Sequence, residues 1–119
     1  MQMQNFEKHV WAEIDLDALR ANFRTVKQRA GSLPLCAVVK ADSYGHGAVQ
    51  CARIFAEEGA VCLAVSCLTE AVQLRQDGQT LPILILGHVQ PEYAQTLIRE
   101  DITVACYSCL LYTSPSPRD

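Results

Sequence analysis

The 119-residue sequence predicts a parallel α/β architecture, on three observations. Four short apolar runs rich in β-branched residues, Leu35 to Val39, Val61 to Val65, Ile83 to Leu86 and Ile102 to Ala105, recur at the pitch of a strand-helix unit, roughly 20–25 residues. Each run is continuously apolar rather than alternating, the pattern of strands buried on both faces of a parallel sheet. Between the runs lie segments with helical periodicity, bounded by residues that start or stop helices.

The elements follow in order. Asp17 as N-cap opens a helix whose Leu19, Phe23, Val26 and Ala30 recur at helical spacing, and Gly31 ends it. Pro34 then bounds the first strand, Leu35 to Val39. A helix from about Ala48 closes at Glu57-Glu58-Gly59 and gives way to the strand Val61 to Val65. Thr69 to about Gln76 forms the next helix, stopped by Gly78, before the third strand, Ile83 to Leu86. Pro91 suits the first turn of a helix running to about Glu100, and Ile102 to Ala105 supplies the fourth strand. Four such units are half of a closed barrel or most of an open doubly wound sheet, and periodicity alone does not choose between them.

The chemistry points to the end of the first strand. There the chain reads Ala37-Val38-Val39-Lys40-Ala41-Asp42-Ser43-Tyr44-Gly45-His46-Gly47. Lys40 is the first polar group after an apolar strand, where catalytic side chains project in barrels of alternating strands and helices. An amine partly withdrawn from water loses affinity for its proton, and the neutral form attacks an aldehyde and holds it as a Schiff base. Gly45-His46-Gly47 is read as a turn that lets Tyr44 face the same site, since two glycines before a helix are weak grounds for a phosphate loop. Asp42 is read as a turn former, His46 as structural, and Glu57, Glu58 and Glu92 as solvated helix faces.

This eleven-residue run resembles the cofactor-lysine motif of the alanine racemases, departing at Ser43, where alanine is common. Trp11-Ala12-Glu13-Ile14-Asp15-Leu16-Asp17-Ala18-Leu19 is similar to the family's opening segment, and Pro82-Ile83-Leu84-Ile85-Leu86-Gly87 to its third barrel strand. The resemblance covers about Val10 to Ser108. It implies the N-terminal part, about four strand-helix units, of a parallel (β/α)8 TIM-type barrel whose C-terminal β domain is absent here. It implies pyridoxal 5′-phosphate held by Lys40, a phosphate hydrogen bond from Tyr44, and Val38, Leu84 and Leu86 lining the cofactor ring, positions that core packing explains equally well. The implied reaction is two-base interconversion of L- and D-alanine, supplying D-alanine for peptidoglycan, with Lys40 exchanging the α-proton on the D-alanine side. The second base, a tyrosine from the second domain of a homodimeric partner, and a late barrel arginine at the pyridine nitrogen have no counterpart here. Two alternatives stay open: a related barrel enzyme, either an amino-acid decarboxylase or a racemase of broader specificity, and a non-catalytic single-barrel carrier of the same cofactor.

Composition excludes several other classes. The net charge of −3 offers no basic surface for nucleic acid. The apolar runs are far shorter than the roughly 20 residues of a membrane span, and Glu7, Lys8 and His9 stand where a secretory signal needs an apolar stretch, so a cytoplasmic location is expected. Cys36, Cys51, Cys62, Cys67 and Cys106 sit in or beside apolar segments and are read as small hydrophobes rather than a disulfide framework. His9, His46 and His88 are too scattered to build a metal site with them. The stretch Cys109-Leu110-Leu111-Tyr112-Thr113-Ser114-Pro115-Ser116-Pro117-Arg118-Asp119 back-translates to a transposase adapter used in sequencing libraries. Residues 1–108 are therefore expected to be natural protein and 109–119 an adapter-derived tail. The natural part falls well short of the roughly 250 residues of a closed eight-unit barrel, so poor solubility and no racemase activity of the isolated chain are expected.

Overall fold

The computed structural model describes residues 10–106, so the expected tail at 109–119 lies outside the described residues. The first helix, α1 (Leu16–Ala30), is capped by Asp15, whose carboxylate accepts the Ala18 amide at 3.0 Å. Asp17, the expected cap, instead sits in the first turn, where its charge complements the helix dipole. Gly31 ends the helix at φ 64°, a conformation that glycine adopts at no steric cost.

Four strands, β1 (Cys36–Val38), β2 (Cys62–Val65), β3 (Ile83–Ile85) and β4 (Ile102–Val104), form one parallel sheet in chain order. The connections are α2 (Lys40–Tyr44), a single helical turn, then α3 (Ala48–Glu57), α4 (Leu68–Gln76), and a 3-10 turn at Pro91–Tyr93 leading into α5 (Ala94–Arg99). The register places Val38, Ala64, Leu84 and Thr103 in one transverse row, and Ala37, Leu63, Ile83 and Ile102 in the row beside it.

The two faces of the sheet differ, which corrects the expectation of burial on both. Ala37, Val39, Leu63, Val65, Ile83, Ile85 and Ile102 are buried in one core with Phe23 of α1, Cys51 and Ala52 of α3, Ala71 and Leu74 of α4, and Leu97 of α5. On the other face Cys36 and Val38 are exposed and Cys62 and Leu84 half-buried, while Ala64 is small enough to be shielded between its neighbours. The apolar runs were continuous because each strand carries hydrophobic side chains on both faces; among the described residues only one face has helices over it.

Two polar clusters brace the helix layer, beside the Arg53–Asp77 ion pair between α3 and the end of α4. The Glu58 carboxylate receives Arg24 and, at 3.2 Å, Arg20, and its carbonyl receives Lys27 at 3.0 Å; Arg20 also reaches Glu57 at 2.8 Å. Glu58 is thus the hub that ties α3 to α1 beside the Phe23–Phe55 ring pair, not a solvated face as its sequence context suggested. The Arg75 guanidinium donates to the carbonyls of Gln79, Leu81, Glu100 and Asp101 at 2.7–2.9 Å, joining the chain before β3 to the chain before β4.

Candidate active site at the strand ends

The β1–β2 ladder ends with the Val39 amide donating to the Ala64 carbonyl at 2.9 Å. Lys40 is the next residue, half-buried, and it begins α2. Ala41, Asp42, Ser43 and Tyr44 have φ of 52°, 55°, 55° and 57°, so the turn winds left-handed through four non-glycine residues. Such a conformation costs about 1–2 kcal/mol per residue, somewhat less for aspartate. It persists only where the surroundings over-determine it.

Those surroundings can be named. The Ser43 amide donates to the Val39 carbonyl at 2.9 Å, and the Gly45 amide to the Ala41 carbonyl at 3.2 Å. Asp42 does more than form a turn: its carbonyl accepts the Gly47 amide at 2.9 Å and its carboxylate accepts the Ala48 amide, also at 2.9 Å, which caps α3. The His46 ring nitrogen Nδ1 lies 2.9 Å from the Ser43 carbonyl, to which it donates as Nδ1–H. His46 is therefore a brace of the turn, as its sequence context indicated. Ser43 is buried at the centre of these bonds.

The turn leaves Tyr44 60% exposed at the same end of the sheet as Lys40. Val38 and Leu84 share the open-face row, 38% exposed and half-buried respectively. Leu86 stands two residues beyond Leu84, hence on the same face by strand alternation, and its amide donates to the Val65 carbonyl at 2.8 Å. An amine and a phenol thus follow the C-terminal end of β1, on a sheet whose open face carries Val38 and Leu84.

Sequence reasoning missed Glu70. This residue lies in the first turn of α4, and its carboxylate accepts three hydrogen bonds: the Ala41 amide at 2.7 Å, the Ser66 amide at 2.7 Å and the Ser66 hydroxyl at 2.5 Å. Burial pulls its pKa upward, but the bonds from the Ser66 hydroxyl and from the Ser66, Ala41 and Cys67 amides outweigh it and hold the carboxyl below the usual carboxylate range. Its local half was readable, because a glutamate three residues after a helix N-cap reaches back to the cap in a capping box.

The cysteines divide. Cys51 is buried as expected, whereas Cys36, Cys67 and Cys106 are exposed and Cys62 half-buried. Cys36 and Cys62 are direct partners across β1 and β2, and burial, then the hydrogen bond its S–H donates to Cys62, pushes the Cys36 thiol up to about 11. No cluster of three metal-ligating side chains exists among the described residues.

The profile described as "Alanine racemase, N-terminal domain" matches residues 14–110. The chain belongs to the alanine racemase family. Alanine racemase 1 of Bacillus subtilis is 44% identical over 109 residues, 91% of this chain and 28% of the relative. Among solved structures, alanine racemase from Clostridium difficile 630 superposes with a TM-score of 0.79 at 44% identity, over 82% of this chain and 26% of that one. Alanine racemase from Bacillus anthracis with bound L-Ala-P superposes with a TM-score of 0.84 at 35% identity, over 95% and 31%. The four-stranded parallel sheet is accordingly part of the family's N-terminal TIM-type barrel, and the chain spans under a third of the length of these alanine racemases.

Proposed function

We propose that these residues belong to an alanine racemase that interconverts L- and D-alanine with pyridoxal 5′-phosphate on Lys40. The observation that carries the reading is the placement of Lys40 and Tyr44 in one left-handed turn at the C-terminal end of β1, in a chain of the alanine racemase family. The donor set fits the cofactor: a half-buried amine for covalent attachment, an exposed phenol for a phosphate oxygen, and Val38, Leu84 and Leu86 as a floor for a flat ring. When bound, pyridoxal phosphate supplies an electron sink that acidifies the α-proton of an amino acid.

The chain's own residues then have distinct tasks. Lys40 would hold the cofactor through Nζ, and its free amine would take an α-proton on one face and return it. The Tyr44 hydroxyl would donate a hydrogen bond to the phosphate. The apolar floor excludes water from one ring face. A base for the opposite face belongs to the length of the relatives that this chain does not span, so we propose that the active form is a longer, cytoplasmic homodimer supplying D-alanine for peptidoglycan. Among the described residues no helix is long and apolar enough to cross a membrane.

The test is borohydride reduction of the cofactor-loaded complete protein, followed by peptide mapping. The pyridoxyl label should fall on Lys40. A label on Lys8 or Lys27, the only other lysines of this chain, overturns the reading.

A further inference from the structure

We propose that Glu70 is a positioning residue for Lys40, its carboxylate clamping the backbone amide of Ala41 to the amide and hydroxyl of Ser66 and so fixing the direction in which Lys40 leaves the sheet. The inference rests on the reading of Lys40 as the cofactor lysine. The β1–β2 ladder has already ended at Val39, so backbone pairing no longer determines where residues 40 and 41 point. The next tie between the two strand ends is Glu70. One of its oxygens takes Ser66 twice, and the other takes Ala41, 29 residues away in sequence and directly after Lys40.

The chain at Ser66 is tied from the other side as well. The carbonyl of Val65, just before it, accepts the Leu86 amide at 2.8 Å, and Gly87, two residues beyond β3, approaches so closely that a methyl group there would meet the Ser66 carbonyl oxygen at 2.4 Å. The ends of β1, β2 and β3 are therefore linked in series, and the link that reaches the lysine is an anionic hydrogen bond to a neutral amide, shorter and stronger than a neutral pair. A left-handed turn that is intrinsically unfavourable needs such a link at its first residue.

A purely structural role, holding the start of α4, uses only the bonds from the Ser66 amide and hydroxyl. Glu70→Gln separates the two roles. The glutamine carbonyl still accepts from Ser66, but its NH2 then faces the Ala41 N–H, donor against donor. In the complete apo protein we expect Glu70→Gln to speed hydrogen exchange at the Ala41 amide by about tenfold while the thermal midpoint stays within 2 °C, roughly a few tenths of the effect of a core substitution. In the loaded protein, pyridoxal-phosphate affinity, read from the cofactor's visible band, should fall by about tenfold, with the borohydride label still on Lys40. Ser66→Ala, which keeps the Ser66 amide, should have under a third of that effect. Unchanged Ala41 exchange, wild-type cofactor affinity, or a loss of thermal stability that accounts for the loss of affinity would each overturn the proposal. A label on another lysine instead overturns the reading of Lys40, whatever Glu70→Gln does to exchange. Should Glu70→Gln fold poorly, Glu70→Asp, one methylene too short to reach both partners, must reproduce the loss of Ala41 protection.

Discussion

Replacing Gly87 by alanine should destabilise the sheet at the site end, and the structure sets the size of the effect. The added Cβ would lie 2.4 Å from the Ser66 carbonyl oxygen and 3.6 Å from its carbon. Ordinary carbon–oxygen contacts begin at about 3.3 Å, so the two strand ends must part by close to an ångström. The obstacle is backbone and cannot rotate away. One residue earlier the Leu86 amide donates to the Val65 carbonyl at 2.8 Å, and that bond opposes the separation. Overpacking of this kind costs about 1–3 kcal/mol. With a urea dependence of about 1–3 kcal/mol per molar, the unfolding midpoint should drop by roughly 1 M. Gly78→Ala is the control: Gly78 has φ +92° with nothing within 4 Å, so its substitution meets backbone strain but no collision. Equilibrium urea unfolding followed by circular dichroism reads both. If Gly87→Ala keeps the wild-type midpoint, or Gly78→Ala is the more damaging of the two, the close approach of β2 and β3 is not as described.

Other outcomes follow from the same geometry. In the complete protein Lys40→Ala should lose racemisation and the pyridoxyl label while keeping its thermal midpoint, and Lys40→Arg should fare no better because guanidinium stays protonated. Tyr44→Phe should weaken cofactor binding by about one to two decades, the value of one hydrogen bond to a charged group, with residual activity at saturating cofactor measured by coupled assay. The 119-residue chain alone should show no racemisation by chiral chromatography. Glu58, held low by Arg24 and Arg20, stabilises the fold fully above the usual carboxylate range. That stability is lost as pH falls below about 4.3, so Glu58→Gln should flatten the acid limb of a pH–stability curve. Cys36, though exposed, should alkylate roughly tenfold more slowly than an ordinary thiol at pH 8, because a pKa near 11 leaves about a hundredth of the usual thiolate and its higher nucleophilicity recovers part of the rate. Cys62→Ala should speed it, as mass spectrometry of competition labelling would show.

What was legible in the sequence was local. Helix periodicity in Leu19, Phe23 and Ala30, the stop at Gly31 and the four apolar runs depend on near neighbours, and the elements appear where those signals place them, with the strands trimmed to three or four residues. The N-cap moved by two residues, from Asp17 to Asp15, because both are good caps and only backbone geometry separates them. The conformation of Ala41 to Tyr44 was not legible, since alanine, serine and tyrosine carry no preference for positive φ. Nor was the role of Glu58 or Glu70, whose decisive partners lie 31 to 38 and 29 residues away. Lys40 was found through its family motif and its place after a strand, not through any feature of the lysine itself.

The open face of the sheet connects these observations. Val38 and Leu86, 38% and 41% exposed, belong to a face whose opposite side is packed to 0% exposure at Val39, Leu63, Ile83 and Ile85. A sheet so finished on one side and apolar on the other is the wall of a barrel, where the second face becomes the interior once the strands close. On that wall the strand ends need more precise placement than hydrophobic packing provides, because packing fixes the sheet but leaves the first residues beyond it free to turn. The polar ties among Asp42, His46, Ser66 and Glu70 sit at those residues. The division is physical: apolar rows set where the wall stands, and a few charged or charge-assisted hydrogen bonds set where Lys40 emerges from it.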